Sequence, residues 1–289
     1  MKYQYLLLLF VVLPLTAFDD ADIFNNDEEI NAEFLESIGE KPKEKENSAE
    51  EFILKSDDTV PNKIKLLSSI AQGHYNKERD DEMVRVMRRI LEIKGITNVQ
   101  KRDTMSRLGQ MASNAGARVR GGKDVMRKAS SKAYTEAFEY AVLAYNEAEK
   151  KDAKLDCAVA AIGLAANANT PKAIGKSIEI AEEMLARKDV AVEHKITIID
   201  WVVRNCTESG AYGHHEHKAI KFMEMKLELV KHPVAKGKIY YGMANLQYFT
   251  MNDLPAARKT LEKALALIPK DISIYEELVL FRDYLSDTD

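Results

Sequence analysis

The chain has 289 residues, of which 46% are hydrophobic, so it has enough apolar material for a large core and is not disordered along its whole length. Its 13 glycines and 7 prolines are too few for the many turns of an all-β protein, and the composition favours an all-α fold. The net charge is −4, but residues 19–58 contain fifteen acidic residues and four lysines, so an acidic segment precedes a mildly basic remainder.

The first residues have the pattern of an export signal. Lys2 precedes an apolar run over residues 6–17, which is shorter than the ~20 residues of a membrane-spanning helix. We therefore expect a signal peptide over residues 1–17, cleaved after Ala17, and a secreted or periplasmic protein with no membrane span after cleavage. Leu15 is larger than the residue preferred two positions before a cut, so an uncleaved N-terminal anchor is the alternative.

Residues 18–58 follow as a strongly acidic stretch that includes the charged run Lys41-Pro42-Lys43-Glu44-Lys45-Glu46. Its low apolar density predicts a disordered linker that tethers the folded part of the chain. The same acidic stretch could also fold back onto a basic surface as an internal competitor.

From Pro61 onward, apolar residues recur at helical spacing in blocks separated by short polar breaks. Connections this short force neighbouring helices to run antiparallel. The pattern predicts helices over 62–76, 80–94, 99–118, 123–149, 152–168, 172–187, 191–207, 215–231, 235–250, 254–267 and 271–285, and no strand.

Residues 238–271 resemble one unit of the tetratricopeptide (TPR) repeat family. The signature positions are occupied by Tyr241, Ala244, Tyr248, Ala257, Leu261, Ala264 and Pro269, and Asn252-Asp253-Leu254 falls where the family has its inter-helix turn. Small side chains at Ala244 and Ala257 allow two helices to approach closely. Asn245 departs from the family pattern, which usually has Gly, Ala or Ser there.

The first helix pair matches the same signature positions less closely. The matching residues are Leu67, Ile70, Ala71, His74, Met83, Met87 and Ile90. The resemblance fades in the middle of the chain, where Met105, Leu108, Gly109 and Ala112 begin a third match. It implies that residues 59–289 form an α-solenoid of about five TPR-like antiparallel helix pairs with a C-terminal capping helix. A looser α-solenoid or an irregular helical bundle is the alternative.

TPR relatives bind extended peptides on a concave surface lined by the first helix of each pair, and the resemblance implies a similar groove here. In the last pair the implied groove residues are Ile239, Gly242, Leu246 and Phe249. In the first pair they are Lys65, Ser68, Gln72 and Tyr75. The residues that clamp a terminal carboxylate in some relatives are not matched. A protein or peptide partner is therefore expected, whereas nucleic acid is not, because the chain is predicted to be exported.

Residues 76–132 contain fifteen Lys and Arg and seven Asp and Glu. The ordinary interpretation is the solvated face of amphipathic helices. The alternative is a site for a polyanion or an envelope component. Its candidate residues are Arg79, Arg85, Arg88, Arg89, Lys101 and Arg102.

Sequence motifs of catalysis are missing: there is no phosphate-binding loop, no Gly-x-Ser-x-Gly motif and no His-Glu-x-x-His motif. The prediction is a non-catalytic scaffold without a cofactor. His214 and His217 are three residues apart and are weak candidates for a metal-dependent enzyme, although Glu216 and the distant His232 are the only further ligands that the sequence suggests. Cys157 and Cys206 are expected to be reduced and buried, because their places on separate helices put them too far apart for a disulfide.

Two further features have ordinary explanations. Trp201, the one tryptophan in the sequence, lies in an apolar run and is expected in the core. Asn205-Cys206-Thr207 matches the N-glycosylation pattern, which has meaning only in a eukaryotic secretory pathway.

Overall fold

The structure, a computed structural model, describes residues 42–118, 123–208 and 215–268, together with Val279, Arg282 and Asp283. These residues form helices and connecting turns, and none of them is in a strand. The helices are α1 Pro42–Lys55, α2 Val60–Asn76, α3 Asp80–Arg89, α4 Asn98–Arg118, α5 Lys123–Glu147, α6 Lys151–Ala168, α7 Pro171–Ala186, α8 Val192–Glu208, α9 Glu216–Leu229, α10 Pro233–Phe249 and α11 Leu254–Leu267.

Helix ends follow local sequence signals. Thr170 accepts a hydrogen bond from the Ala173 backbone N–H at the start of α7, and Asp253 does the same for Ala256 at the start of α11. Each of these helices has a proline in its first turn, where the missing N–H costs nothing. Asn169 ends α6 with a φ of 45°, the left-handed conformation common at helix C-termini.

The described residues fall into two compact units that divide between Lys94 and Gly95. The first unit contains α1, α2, α3 and a short 3₁₀ turn, Ile90–Glu92. Its apolar interior lies between α2 and α3. The fully buried side chains of this interior are Leu67, Ala71, Met83, Val86, Met87 and Ile90.

Helix α1 corrects the prediction that residues 18–58 are a disordered linker. Residues 42–55 are helical, and Ala49, Glu50 and Ile53 of α1 are buried in the first unit. The buried carboxylate of Glu50 is compensated by Arg85 and Arg89 of α3. This compensation by distant residues explains why a segment with few apolar residues folds. Residues 18–41 of the predicted linker, and the predicted signal peptide over 1–17, lie outside the described residues.

The second unit contains α4 to α11. Each helix packs on the next in chain order, and α6 also packs on α8. The main hydrophobic core is formed by residues from α5 to α10, and its centre is rich in alanine and isoleucine. The fully buried residues at this centre include Ala158, Ala161, Ile162, Ile174, Ala181 and Ile198.

Asn205 of α8 is fully buried within this core. Its side-chain Nδ2 donates to the Ile162 carbonyl of α6 at 2.8 Å and to the Ser177 hydroxyl of α7 at 3.0 Å. One amide group therefore joins three consecutive helices. Buried polar groups are destabilising when they lack partners, so these bonds are needed for close packing at this point.

Close approach of helices also depends on two glycines. A Cβ atom added to Gly109 would lie 2.9 Å from the Tyr134 ring, so α4 and α5 can pack this closely only with glycine there. A Cβ atom on Gly237 would lie 2.4 Å from the Ile268 side chain.

The α10–α11 pair has the packing that the TPR resemblance predicts. Ala244, Ala257, Leu261 and Ala264 are buried together, with Tyr241 and Tyr248 packed against them. Small residues thus occupy the helix contact, and larger ones surround it.

Ten of the predicted helices, those over 62–267, are confirmed, and the ends of nine differ from the prediction by at most two residues. The α-helix predicted over 80–94 ends at Arg89 and is followed by the 3₁₀ turn Ile90–Glu92. The predicted helix over 271–285 lies almost wholly outside the described residues. The all-α class and the packing of adjacent helices are established for the part of the chain that the structure describes. Within that part, no helix is long and apolar enough to cross a membrane.

Candidate functional site

A pocket of about 280 Å³ lies between α9, α10 and α11. Helix α10 contributes Tyr240, Met243 and Gln247, whose spacing of three and four residues places them on one face. The other lining residues are Glu224 and Leu227 of α9 and Ala256, Lys259, Thr260 and Lys263 of α11. This volume suits one or two side chains of a ligand, since pockets for whole small molecules begin at ~300 Å³.

The pocket has a positive side formed by α11. Lys259 and Lys263 are exposed and lie one turn apart on the same helix face. Within the described residues neither ammonium group forms an ion pair, and the Lys263 Nζ lies 5.7 Å from the centroid of the Tyr240 ring. Two cations without carboxylate partners make this side attractive to an anion.

The opposite side of the pocket is polar but not basic. Glu224 of α9 is its one carboxylate. The Gln247 Oε1 atom is buried and accepts no hydrogen bond from the rest of the described protein.

The groove residues predicted in α10 are mostly covered. Ile239, Gly242 and Leu246 are buried, and Leu246 belongs to the main hydrophobic core. Phe249 is the exception, with 70% of its surface exposed. Its ring meets that of Tyr248 edge to face, with the centroids 4.6 Å apart. Of the predicted set, Phe249 is therefore the side chain that a partner can reach.

The groove residues predicted in α2 have a mixed placement. Lys65 is exposed, Ser68 is buried, and Gln72 and Tyr75 are half-buried. The Gln72 amide donates to the Asn76 side chain at 3.0 Å. Three of the four side chains are thus at least partly open to solvent, and all four are polar.

The predicted anion-binding residues are divided between the two units. In the first unit, Arg85 donates to both oxygens of Glu50, at 2.6 and 2.8 Å, and Arg89 donates to Glu50 at 3.1 Å and to Glu51. Carboxylates of α1 thus already occupy two of the candidate arginines. This arrangement agrees with the expectation that the acidic segment folds onto basic residues.

The other candidates of the basic set also have interactions within the protein. Arg79 and Arg88 are half-buried. In the second unit, Lys101 lies 5.5 Å from the centroid of the Tyr140 ring, and Arg102 pairs with Asp103 at 2.6 Å. Arg79, Arg85, Arg88 and Arg89 thus belong to the first unit, and Lys101 and Arg102 belong to the second.

The histidine candidates for a metal site are only partly described. His214 lies outside the described residues, and His217 is exposed in the first turn of α9. Among the residues that the structure covers, no cluster of three or more His, Cys, Asp or Glu side chains could hold a metal ion.

Both cysteines are reduced and buried, as predicted. Burial raises the pKa of the Cys157 thiol, and it raises the pKa of Cys206 to about 12. The thiolate is the reactive form of cysteine, so neither residue is suited to nucleophilic chemistry.

Trp201 is half-buried rather than fully in the core. Its ring packs on Gly163 of α6 and lies under the Arg204 guanidinium, 5.4 Å from the ring centroid. Asn205, the acceptor of the glycosylation pattern, is fully buried and hydrogen-bonded. Its amide nitrogen is therefore inaccessible to a glycosyltransferase once the protein has folded.

The pocket residues were not singled out by sequence patterns. The available signal was the pair Lys259 and Lys263, four residues apart on one helix, without an acid four residues from either of them. Surface helices contain many such pairs, so this signal alone does not identify a site.

In comparisons with known proteins, no protein-family model matches the chain and no curated protein matches it significantly.

Proposed function

We propose that the chain is an exported, non-catalytic scaffold that binds a protein or peptide partner on a TPR-like α-solenoid. The observation that carries this proposal is the construction of the α10–α11 pair. Small residues at the signature positions Ala244, Ala257 and Ala264 lie in the helix contact, and the same chain-neighbour packing continues through α4 to α9. Stacked helix pairs of this kind present long surfaces that serve mainly for binding.

Two surface features support a binding role for the last helix pair. The exposed aromatic ring of Phe249 supplies apolar contact area, which is often decisive at protein interfaces. The pocket between α9 and α11 supplies polar groups for orientation. Both features belong to the second unit.

The test is capture of a partner from the envelope fraction of the protein's own host. The tagged mature protein, Phe249→Glu and the matched control Thr250→Glu would be compared by affinity purification with quantitative mass spectrometry. A specific partner should be retained by the wild type and by Thr250→Glu, and reduced at least about tenfold with Phe249→Glu, as expected for loss of an interface hot spot. Capture that is equal in all three would contradict a role for Phe249, and the absence of any specific partner would contradict the scaffold proposal.

The export part of the proposal is supported by the apolar run over residues 6–17 and has its own test. Expression in the native host, followed by fractionation and intact mass measurement, should find the protein outside the cytoplasm and starting at Phe18. A cytoplasmic protein that retains Met1 and the apolar run would contradict it.

A further inference from the structure

We propose that the end of the α4–α5 helix pair binds peripherally to a membrane surface of anionic phospholipid. This surface, here called the basic end, consists of residues 111–118 of α4 and residues 124–132 of α5. The connection over residues 119–122 is not part of it. The inference goes beyond the scaffold function and does not depend on which partner the scaffold binds.

Contacts between α4 and α5 define the basic end. The Ser130 hydroxyl donates to the Gly109 carbonyl at 2.8 Å, and the Tyr134 hydroxyl donates to the Gln110 side chain at 3.3 Å. These contacts place the C-terminal part of α4 beside the N-terminal part of α5. The residues of the basic end therefore share one end of the helix pair, although they come from two helices.

The buried residues of the basic end form a narrow stripe on α5. Over residues 124–133 they are Met126, Ser130 and Ala133. One buried position in each turn is typical of a helix with a single neighbour. From Phe138 onward α5 also packs on α6, where Phe138 is buried in a cluster with Ala165 and Ala168. The two helices of the basic end thus bury one stripe against each other and expose their other faces.

The excess positive charge of the chain after its acidic segment is concentrated here. Residues 104–135 contain seven Lys and Arg and one acidic residue, Asp124, whereas the rest of residues 59–289 contains thirty Lys and Arg and thirty Asp and Glu. The exposed cations of the basic end are Arg118, Arg127, Lys128 and Lys132. Several like charges on one exposed surface attract a surface that carries many anionic groups.

Val125 favours a lipid surface over other polyanions. Its side chain is 64% exposed in the first turn of α5, and the exposed cations Arg127 and Lys128 follow it. An aliphatic side chain can enter the boundary between headgroups and acyl chains while neighbouring cations contact anionic headgroups. The exposed side chains that the structure describes for the basic end include no aromatic ring, on which the bases of a single-stranded nucleic acid would stack.

The experiment is cosedimentation of the protein, purified from its native host, with lipid vesicles. One set of vesicles is pure phosphatidylcholine, and the other contains about one third phosphatidylglycerol. We expect the partition coefficient to be at least about tenfold higher on the anionic vesicles and to fall as the salt concentration rises from about 50 mM to about 500 mM. Equal binding to the two kinds of vesicle would overturn the proposal.

Charge-reversal variants test whether the basic end is the surface that binds. The triple change Arg127→Glu, Lys128→Glu and Lys132→Glu should weaken binding to the anionic vesicles at least about tenfold. A control with the same change in net charge, at exposed positions in and just after α9, should weaken it less than about threefold. This control is Lys218→Glu, Lys221→Glu and Lys231→Glu. Equal weakening by the two triple variants, both with native-like circular dichroism, would overturn the assignment to the basic end.

The contribution of Val125 and the class of ligand are tested separately. Val125→Gln should weaken vesicle binding about threefold without changing its salt dependence, because it removes apolar contact area and no charge. A short DNA duplex and polyglutamate, compared with the vesicles at equal concentrations of anionic groups, represent the other polyanions. Unchanged vesicle binding in Val125→Gln, or tighter binding of either polymer than of the vesicles, would overturn the assignment to lipid.

Discussion

Glu50 in α1 and Asn205 in α8 are both fully buried polar side chains that join helices, but they do so in different ways. Glu50 forms ion pairs with Arg85 and Arg89, and these two arginines are 40% and 17% exposed. Asn205 is neutral, and its bonds to Ile162 and Ser177 lie wholly inside an alanine- and isoleucine-rich core. The first contact is ionic at the edge of a small unit, and the second is a neutral contact at the centre of a larger one.

Because one contact is ionic and the other is neutral, the two should respond differently to solution conditions and to mutation. An ion pair that is partly open to solvent weakens with salt, whereas a bond made by a buried neutral amide does not. Loss of the ionic contact should release α1 locally, because Ala49 and Ile53 are the only other buried side chains among residues 49–55, the part of α1 whose burial is described. Loss of the amide should instead affect α6, α7 and α8 together.

The largest effect is expected from Asn205→Asp, which tests the central contact. It places an ionised carboxylate against the Ile162 carbonyl in a fully buried position, and the free energy of unfolding should fall by about 3–5 kcal/mol. Urea denaturation followed by Trp201 fluorescence measures this loss. Asn114→Asp is the matched control, because Asn114 is exposed in α4 and already acts as an acceptor for Gln110. It should change stability by less than ~0.5 kcal/mol, and an equal loss in both variants would refute the central role of Asn205.

Glu50→Ala should have the next largest effect, confined to the first unit. It leaves Arg85 and Arg89 without their shared carboxylate, and the docking of α1 should weaken by about 2–3 kcal/mol, near the low end for broken buried pairs because Arg85 is partly solvated. Hydrogen exchange with mass spectrometry should show faster exchange in α1. Glu51→Ala, which removes a half-exposed carboxylate one residue away, should have a much smaller effect. If α1 exchanges at the wild-type rate in Glu50→Ala, the ionic contact does not hold the helix.

Acid should weaken the docking of α1 by protonating Glu51. Hydrogen bonds from Arg89 and then Lys55 hold the pKa of the Glu51 carboxyl below its ordinary value of 4.5. A carboxyl with a lowered pKa contributes stability that is present above pH 4.5 and is lost as the pH falls through the pKa of the folded state. Urea unfolding followed by NMR signals of α1 should therefore show a larger loss between about pH 5 and about pH 3 in the wild type than in Glu51→Gln. Equal losses in the two proteins would contradict this linkage.

The smallest effect is expected in the rate at which the two cysteines react with a thiol reagent. This rate should respond to loss of the Asn205 contact and not to loss of the Glu50 contact. Cys157 and Cys206 lie in α6 and α8, and burial raises the pKa of both thiols. A thiol reagent should react slowly with the native protein, and it should modify both thiols once the protein is denatured. Asn205→Asp should speed this reaction, and Glu50→Ala should leave its rate unchanged. Equal acceleration by both variants would mean that the two contacts are not independent.

Sequence periodicity predicted the helices from α2 to α11 because each carries apolar residues at a spacing near 3.6 along the segment. Helix α1 was missed for a physical reason. Over residues 49–55, where burial is described, three side chains are buried. One of them is Glu50, whose charge is compensated by arginines 35 and 39 residues further along the chain. A local pattern does not contain that information.

Prediction of the binding surface was less successful. The resemblance to TPR repeats identified which residues of α10 share a face, but it did not show that Ile239 and Leu246 are covered by other parts of the protein. Coverage depends on how successive helix pairs are placed, which a local sequence pattern does not specify. The pocket likewise depends on three helices meeting, so Lys259 and Gln247 acquire their significance only in the folded chain.

The buried amide of Asn205 has one more consequence. Ala158, Ala161, Ala165 and Ala168 give α6 a smooth surface, along which a neighbouring helix could slide by one turn, ~5.4 Å, and still find similar methyl contacts. The amide of α8 reaches the Ile162 carbonyl and the Ser177 hydroxyl in one axial position only. We therefore expect this single side chain to fix the axial register of α8 against α6 and α7.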